Sequence, residues 1–541
     1  MKEAFKEAQK QHLQDHAQRR SWQVIERKQA KGHQVLSSMW VFIYKTDKHG
    51  FLVKCKARIV ACGNQQKKLG DLPTRATTLA SNTLRTLLAI AAKFDLELKQ
   101  LDVVNAFVNC DLDELVFMKM PPGFEERGKI CRLRKALYGL RRSPLLWQLK
   151  LTDTFRKMGF SEIPQEPCVM IKGGVIVFFY VDDIVFAYRK EHEKEANWAK
   201  KELGKTFELT DIGDLKWFLG IHVIRDRSKR LISLSQAAYI DKITNQFKVD
   251  TQGKMPDTPM CEGELEPSSQ TYQATSKSRD EYQRKVGSML FAAISTRPDI
   301  SFAVSRLARF NQNPNDFHHE AADRVIKYLY STKNLCIQYG QDNLGESFIC
   351  ASDSSFADNT IDRKSSQGYI MILFGGAIGW RANKQNTVTT SSTEAELLAL
   401  SQTAKEAIFM SRLFKALSLE LNEPLRIRCD NTQTLRLFDE SVKLATKLRH
   451  VDIHNHWLRQ ECKNGTIQLQ WEPTSKMIAD GLTKALSKQK FAHFVKLLRL
   501  EDQTQRLRLI QREEELRDEL KAKRQAIQNE LEVRYRASSR E

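Results

Sequence analysis

Apolar and polar positions alternate in short runs over the first part of the chain, which predicts β-strands joined by turns. Runs of this kind lie between residues 39 and 61, with a turn predicted at His49-Gly50. Residues 82–95 repeat apolar positions at helical spacing, and the strand-like LKQLDVVNAFV follows them. Residues 175–187 form a longer apolar run that is interrupted mainly by two adjacent aspartates. That run predicts a hairpin with two carboxylates at its turn.

The pattern changes after residue 250. Residues 251–280 are polar and rich in Pro, Ser and Thr, which indicates a linker, and residues 281–333 have helical periodicity. From about residue 347 to 486, strand-like and helix-like segments alternate, which predicts an α/β domain. The sequence therefore predicts at least three structural parts.

The last 41 residues, 501–541, contain neither Gly nor Pro, and their apolar positions recur at helical spacing amid dense charge. This predicts a long exposed helix. Because the apolar stripe is thin and Lys523 and Glu530 interrupt it, the pattern favours a solvated helix over a coiled coil. The apolar residues of the stripe are Leu509, Leu516, Leu520, Ile527 and Leu531.

Charge and cysteine usage narrow the class of protein. The 86 Lys and Arg residues outnumber 66 Asp and Glu residues, a surplus of 20 positive charges that suits either a polyanionic partner such as nucleic acid or a merely basic surface. The 10 cysteines form no C-x-x-C pair, which indicates reduced thiols rather than a zinc site. No stretch approaches the ~20 apolar residues of a membrane helix, so we expect an intracellular protein without membrane contact.

Three carboxylates suit nucleotidyl transfer. Joining a nucleotide to a primer hydroxyl is a phosphoryl transfer that proteins commonly catalyse with two Mg²⁺ ions held by clustered oxygen ligands. Asp182 and Asp183 at the predicted hairpin supply two such ligands, and Asp102 supplies a third if its strand lies beside the hairpin. An isolated pair of aspartates is more often an ordinary turn that faces water.

The surrounding motifs decide between these readings. The runs YVDD, LDVVNAF, KALYGLRRSPLLW and KCKARIVACG resemble the reverse transcriptase of copia-type LTR retrotransposon Pol polyproteins, and KWFLGIHV is similar to that family's primer-holding region. The resemblance implies that Asp102, Asp182 and Asp183 hold the metals. It also implies that Lys56, Arg58, Phe107 and Arg141 bind nucleotide or template: the first two meet the triphosphate, and Phe107 excludes a ribose 2'-hydroxyl.

A second set of acids lies in the C-terminal α/β part, in ASDSSFAD, SSTEAELLAL, RCDNTQ and IADGLTKAL. In order and spacing these motifs resemble the copia-type ribonuclease H, in which four carboxylates bind two metals that activate a water for RNA cleavage. Glu394 competes with Glu396 for the second position. Thr474 and Ser475 stand where many ribonucleases H have a histidine. The implied catalytic and metal-binding residues are Asp353, Glu396, Asp430 and Asp480.

The resemblance implies an α+β right-hand polymerase, with fingers, an antiparallel palm sheet and a helical thumb or connection, followed by an α/β ribonuclease H-like domain. The resemblance and the residue patterns together divide the chain into an N-terminal helical extension (1–20), fingers and palm (21–250), linker and helical thumb or connection (251–340), the ribonuclease H-like domain (345–486) and a charged helical tail (487–541).

The implied function is RNA-directed DNA synthesis with cleavage of RNA in RNA/DNA hybrids, using two Mg²⁺ ions per active site, with Mn²⁺ as a substitute. The expected partners are RNA template, DNA primer, RNA/DNA hybrid, dNTPs and other polyprotein products such as integrase and capsid. We expect a cytoplasmic location, in virus-like particles, with a nuclear phase. The alternative function is that of a degenerate element product that binds nucleic acid without catalysis.

Overall fold

The structure is a computed structural model in which the described part of the chain comprises residues 2–46, 52–67, 73–263, 265–340, 346–421, 424–438 and 449–538. The turn predicted at residues 49–50 lies outside these ranges. None of the described helices is long and apolar enough to cross a membrane.

The residues form two compact units. Contacts between residues define these two units, and they do not test where the five expected parts begin and end. The five-part division therefore stays a prediction. Unit 1 comprises Met1–Leu84, Phe94–Leu215 and Arg412–Glu420, and unit 2 comprises Arg85–Lys93, Lys216–Ser411 and Leu421–Glu541.

Unit 1 begins with the predicted N-terminal helix and continues mainly as strands. Its elements, in chain order, are α1 Lys2–Gln18, β1 Trp22–Glu26, β2 Val35–Leu36, β3 Ser38–Thr46, β4 Leu52–Ala61, the start of α2 Ser81–Lys93, β5 Glu97–Val103, β6 Phe117–Lys119, β7 Lys129–Leu133, α3 Ser143–Lys157, β8 Ser161–Ile163, β9 Glu166–Lys172, β10 Val175–Tyr180, β11 Asp183–Tyr188, α4 Glu193–Thr206 and β12 Leu209–Asp214.

The central sheet of unit 1 is antiparallel and has six strands in the order β12-β5-β11-β10-β9-β8. Phe178 of β10 and Ile184, Val185 and Phe186 of β11 are fully buried. Neighbouring residues of a strand point to opposite faces, so both faces of these strands are covered. That is why the sequence here is an unbroken apolar run up to the aspartates. A four-stranded sheet, β1-β7-β6-β2, and the β3-β4 hairpin complete the unit.

Unit 2 contains two further sheets and most of the helices. Its elements after α2 are β13 Trp217–Phe218, β14 Ile221–Asp226, β15 Leu231–Ser235, α5 Ala237–Gln246, α6 Ser276–Ser295, α7 Ser301–Ala308, α8 Asp316–Ser331, β16 Leu335–Tyr339, β17 Phe348–Ser355, β18 Ser366–Leu373, β19 Gly376–Lys384, α9 Ser392–Ala416, which extends into unit 1, β20 Arg426–Cys429, α10 Thr432–Arg436, α11 Arg449–Lys463, β21 Gln468–Trp471, α12 Lys488–Leu497, β22 Leu500–Asp502 and α13 Thr504–Ser538.

One sheet of unit 2 is mixed, with the strand order β19-β18-β17-β20-β21. β17, β18 and β19 pair antiparallel, whereas β20 runs parallel to both β17 and β21. Because β17 is the middle strand, a side chain at its end is surrounded by the loops that follow its neighbours. This arrangement gives acids from separate motifs a common meeting point.

The second sheet of unit 2, β13-β14-β15-β16-β22, is antiparallel and contains one strand that the sequence pattern does not predict. KWFLGIHV covers β13, the turn after it and the start of β14, with Leu219 in the left-handed region at φ 51°. The short strand β22 pairs with β16 just before the long helix begins, and the sequence analysis placed no strand there. Three residues are too few for a periodicity to be seen.

Candidate active sites

The palm aspartates of unit 1 meet at the tip of the β10-β11 hairpin. Asp183 begins β11 and lies directly opposite Asp102 of β5 in the antiparallel pairing. Val181 and Asp182 make the turn, in which Val181 has a φ of 56°. The turn is held on both sides, since the Trp147 indole N–H donates to Val181 O at 2.6 Å and Val103 N–H donates to Asp182 O at 3.0 Å. All three predicted aspartates therefore lie at one edge of the central sheet.

The electrostatics of this hairpin favour a cation. Burial raises the pKa of Asp183 above its ordinary value, and the neighbouring charge of Asp182 raises it further, although the Gln100 side chain donates to Asp183 Oδ1 at 2.9 Å. Burial also raises the pKa of Tyr138, with smaller contributions from the charges of Asp182 and Asp102. The negative charge of the aspartates is thus felt across the space between the hairpin and Tyr138.

Lys56 and Arg58 lie on the same face of β4, because alternate residues of a strand point the same way. The Arg58 guanidinium lies 3.8 Å from the centre of the Tyr138 ring, and the Tyr138 ring packs edge-on against Phe107 with centroids 4.6 Å apart. Sequence reasoning gave Arg58 and Phe107 roles but missed Tyr138, which contacts both. Its only signal was its place in the middle of KALYGLRRSPLLW.

Arg141 and Arg142 are adjacent in the chain but differ in their surroundings. Arg141 is exposed, its Nε donates to Gly63 O at 3.0 Å, and its backbone N–H donates to Gln66 Oε1 at 2.9 Å. Arg142 is buried and pairs with Asp113, with Nε to Oδ1 at 3.1 Å. Arg142 is therefore part of the fold, whereas Arg141 stays accessible while it ties its loop to the residues after β4.

Helix α1 supports the strand that carries Lys56 and Arg58. The Ile59 N–H donates to His12 Nε2 at 3.1 Å, and His16 Nε2 lies 3.1 Å from the same nitrogen. Burial lowers the pKa of His12 to about 4, and the positive charges of Arg58 and Lys56 lower it further against the influence of Asp15. The ring is therefore neutral at pH 7, which leaves Nε2 free of a proton to accept from the Ile59 N–H.

Replacing His12 with Ala should destabilise unit 1. The substitution leaves the Ile59 N–H without this acceptor and removes the ring that contacts His16, a loss of about 1–3 kcal/mol. We expect a lower melting temperature by circular dichroism. Gln11→Ala, an exposed change one residue away, should have little effect. Equal melting of the wild type and His12→Ala would show that the contact does not hold the strand.

A second cluster of carboxylates lies in unit 2, at the mixed sheet. Asp353 is on β17, Glu396 on α9 and Asp430 directly after β20, and carboxylate oxygens of the three lie within 4.8 Å of one another. Within the described part of the chain, no other group of three acids, histidines or cysteines brings its ligand atoms this close together. Three separate sequence motifs therefore contribute one residue each to this group.

Asp480, the fourth predicted acid, adjoins the cluster without belonging to that tight group. It begins a 3-10 helix, Asp480–Leu482, and pairs with Lys484. Its charge adds to the burial that raises the pKa of Asp353, and the hydroxyl of Thr483, three residues further along the chain, donates to the Asp353 carboxylate. The competing candidate Glu394 is elsewhere: its carboxylate accepts from Thr390 N–H at 2.7 Å at the start of α9. The structure thus brings Glu396 and not Glu394 to Asp353.

Burial raises the pKa of Asp353 to about 7, and the charges of Asp480 and Asp430 add to the shift. Burial and then the charge of Asp353 raise the pKa of Glu396 to about 9, although Ser354 N–H donates to Glu396 Oε1 at 3.1 Å. The Glu396 carboxyl is therefore protonated at neutral pH, and the Asp353 carboxyl is partly protonated. Cation binding would displace these protons.

These shifts make the stability of the protein depend on pH. Between the ordinary carboxyl pKa near 4 and the raised values, the folded state binds more protons than the unfolded state, so stability falls as pH rises. In a chelator at pH 8, Glu396→Gln should therefore raise the melting temperature by at least about 2 °C, or ~1 kcal/mol. The gain should shrink towards pH 5, and Glu394→Gln should show none. A lower melting temperature for Glu396→Gln at both pH values would contradict this account.

The loop without the expected histidine also reaches the cluster. The Thr474 hydroxyl donates to Asp430 Oδ2 at 2.8 Å, and the Trp471 indole N–H donates to Asp430 O at 3.2 Å. A histidine approaches from a different element, since His493 Nε2 of α12 lies 2.9 Å from Ser475 O. Sequence reasoning missed His493 because its place depends on how α12 packs, which no local motif indicates.

Comparisons with known proteins agree with the motifs. Residues 19–262 match the family model described as reverse transcriptase (RNA-dependent DNA polymerase). The retrovirus-related Pol polyprotein from transposon TNT 1-94 of Nicotiana tabacum is 34% identical over 476 residues, which are 85% of this chain and 35% of that polyprotein. The Pol polyprotein from transposon RE1 of Arabidopsis thaliana is 33% identical over 85% of this chain and 31% of its own length.

A shorter relative is matched along its whole length. The putative transposon Ty5-1 protein of Saccharomyces cerevisiae is 33% identical over 314 residues, 57% of this chain and 100% of that protein. A solved structure of the foamy viral protease-reverse transcriptase in complex with ds DNA aligns with 83% of this chain and 67% of that chain, at 17% identity and a TM-score of 0.46.

The family model and the similar transposon sequences define the class as reverse transcriptases of retrotransposons. The chain belongs to the copia-type Pol polyprotein family and carries its reverse transcriptase domain. It spans about a third of the length of the plant polyproteins that it matches.

Proposed function

We propose that the chain is an RNA-directed DNA polymerase that also cleaves the RNA strand of RNA/DNA hybrids. The observation that carries the polymerase proposal is the register of the palm sheet, in which Asp102 and Asp183 lie opposite each other beside Asp182. Three carboxylates at one sheet edge, next to a strand that carries Lys56 and Arg58, suit the joining of a nucleoside triphosphate to a primer end.

The donor set at the hairpin fits Mg²⁺, with Mn²⁺ as a substitute, because all three side chains offer carboxylate oxygens and hard cations prefer oxygen ligands. Asp102, Asp182 and Asp183 would hold two ions. When bound, the ions stabilise the negative charge that moves during phosphoryl transfer. The raised pKa of Asp183 supports this assignment, since an unbalanced pair of acids in a partly buried site is compensated by positive charge.

The remaining residues would bind and orient the substrates. Lys56 and Arg58 contribute positive charge for the triphosphate of a dNTP, and Arg141 contributes it for the template. Phe107, braced by Tyr138, presents a bulky ring where a ribose 2'-hydroxyl would lie. The Arg58 guanidinium stacks on the same Tyr138 ring. Tyr138 therefore contacts both Arg58, which would bind the triphosphate, and Phe107, which would lie against the sugar.

A second observation supports hybrid cleavage. Asp353, Glu396 and Asp430 form a tight group of carboxylates at the mixed sheet β19-β18-β17-β20-β21 of unit 2. Asp480 lies beside them. The all-oxygen donor set again fits two Mg²⁺ ions, which when bound supply an activated water. This chain's own groups orient the acids, since Thr483 donates to Asp353 and Thr474 donates to Asp430.

The proposed partners are RNA template, DNA primer, RNA/DNA hybrid and dNTPs, in keeping with the surplus of 20 positive charges. Integrase, capsid and a cytoplasmic particle remain predictions from the family resemblance. The alternative is a chain that binds nucleic acid without catalysis. The seven acids all lie in one of the two clusters or beside it, which favours the catalytic function.

The test is extension of a 5'-labelled DNA primer annealed to an RNA template by the purified chain, with dNTPs and either Mg²⁺ or a chelator. We expect products that reach the end of the template in Mg²⁺ and none in the chelator. Binding of the primer–template without extension would favour the binding-only alternative.

A further inference from the structure

We propose that α13 of one chain pairs antiparallel with α13 of a second copy of this chain. The helix carries four large apolar side chains that are more than half exposed. Exposed apolar residues that share one face commonly mark an interaction surface. The four are Leu509, Leu516, Leu520 and Ile527, which are 55%, 57%, 53% and 58% exposed. At about 100° per residue, they lie within an arc of roughly 40° on one side of the helix.

The chain's own fold does not cover this stripe. The first turns of α13 contact unit 2 through a different side, where Leu507, Ile510 and Glu514 are half-buried and the Arg506 side chain donates to Arg225 O at 3.4 Å. From residue 515 onwards, every described side chain up to residue 529 is exposed. The apolar stripe, defined as the four residues above, therefore projects from the unit along most of its length.

The spacing of the stripe points to a second copy as the partner. The four apolar residues are separated by seven, four and seven positions, so the order reads the same in both directions. Two antiparallel copies centred on Asp518 place Leu509 opposite Ile527 and Leu516 opposite Leu520, and both copies do so at once. An isologous contact of this kind closes a dimer, because the same patch is used on each side.

The charges beside the stripe favour the antiparallel direction. In that direction Glu513, which borders the seam, the line along which the two stripes meet, lies opposite Lys523 of the other copy at each end of the pair. In a parallel pair these two seam positions would each face their own copy, so Glu513 would meet Glu513 and Lys523 would meet Lys523. Like charges at such positions repel, and opposite charges set orientation.

The pairing explains a feature that otherwise argues against a coiled coil. In a single helix Lys523 interrupts the apolar stripe. In the antiparallel pair Lys523 lies beside the seam and opposite Glu513. The seam itself then spans residues 509–527, a length of roughly 27 Å at 1.5 Å per residue. A short seam of this kind makes a dimer whose population depends on protein concentration.

The test measures the mass of the full chain by sedimentation over a range of concentrations. We expect the wild type to shift from monomer to dimer, and Leu516→Glu/Leu520→Glu to remain a monomer at concentrations where the wild type is dimeric. The matched control is Gln511→Glu/Gln525→Glu, which adds the same charge on the opposite side of the helix and should still dimerise. A wild type that stays monomeric throughout, or a control that loses the dimer as fully as the stripe variant, would overturn the proposal.

Direction is tested by disulfide formation, with Cys261→Ser introduced because Cys261 is exposed. An equal mixture of Leu509→Cys and Ile527→Cys chains should form a mixed disulfide, identified by mass spectrometry of the linked peptides. Leu509→Cys alone should not link to itself, since its two copies would lie roughly 27 Å apart and a disulfide needs Cα atoms within about 7 Å. Self-linking of Leu509→Cys without the mixed product would instead indicate a parallel pair and contradict the antiparallel assignment.

Discussion

Replacing Asp182 and Asp183 together with asparagine should abolish primer extension, with a loss of at least about 1,000-fold in rate. Metal ions supply several kcal/mol of charge stabilisation to a transferring phosphoryl group, and each ~1.4 kcal/mol is a factor of ten. Asparagine keeps the size of the side chain and removes the charge that would hold the cations. The turn itself should survive, because it is held through the backbone oxygens of Val181 and Asp182.

The control for this variant removes two charges from elsewhere in the same unit. Glu191→Gln/Glu193→Gln changes two exposed acids just beyond β11 and should extend primers at close to the wild-type rate. Primer–template binding, measured by fluorescence anisotropy, should be retained in both variants. Extension by the Asp182→Asn/Asp183→Asn variant at more than a tenth of the wild-type rate would show that the chemistry occurs elsewhere.

Replacing Glu396 with Gln should remove hybrid cleavage by a comparable factor, at least about 1,000-fold, while primer extension is kept. Glu396 lies within 4.8 Å of Asp353 and Asp430, so its loss removes an oxygen ligand from the centre of the cluster. The measurement is the release of fragments from a labelled RNA strand annealed to DNA. The separation of the two activities follows from the carboxylate sets lying on different sheets.

Glu394→Gln is the matched control for hybrid cleavage, because it makes the same change two residues earlier on α9. Glu394 accepts from Thr390 at the start of that helix, so its loss should lower stability slightly and leave the cleavage rate near that of the wild type. If Glu394→Gln abolished cleavage and Glu396→Gln did not, the assignment of the second acid would be reversed.

The sequence predicted the elements near the polymerase site well, because their signals are local. The apolar run that ends at Asp182 and Asp183 is continuous because both faces of β10 and β11 are buried, and a hairpin is the simplest structure for it. The register of Asp102 opposite Asp183 could not be read locally. It depends on which strand pairs with β11, and only the resemblance to a family supplied that expectation.

Contacts between distant segments were beyond the sequence. Tyr138 joins Arg58 to Phe107 across 80 residues of chain, and no periodicity links the three. His12 accepts from the Ile59 N–H because α1 packs on β4. The sequence predicts a helix at residues 1–20 but does not indicate which strand it contacts. Thr474 contacts Asp430, and His493 contacts the backbone of Ser475, through packing of separate elements. Such partners are set by tertiary structure, which a local pattern does not encode.

The central claim is that one chain carries two separate metal-dependent centres, and one reaction tests it most directly. A DNA primer and an RNA template, each with its own label, are incubated with dNTPs and Mg²⁺. The account predicts that the wild type extends the primer and cuts the template, that Asp182→Asn/Asp183→Asn only cuts, and that Glu396→Gln only extends. A wild type that does neither, or a variant of either cluster that loses both activities while it still folds and binds the duplex, would contradict it.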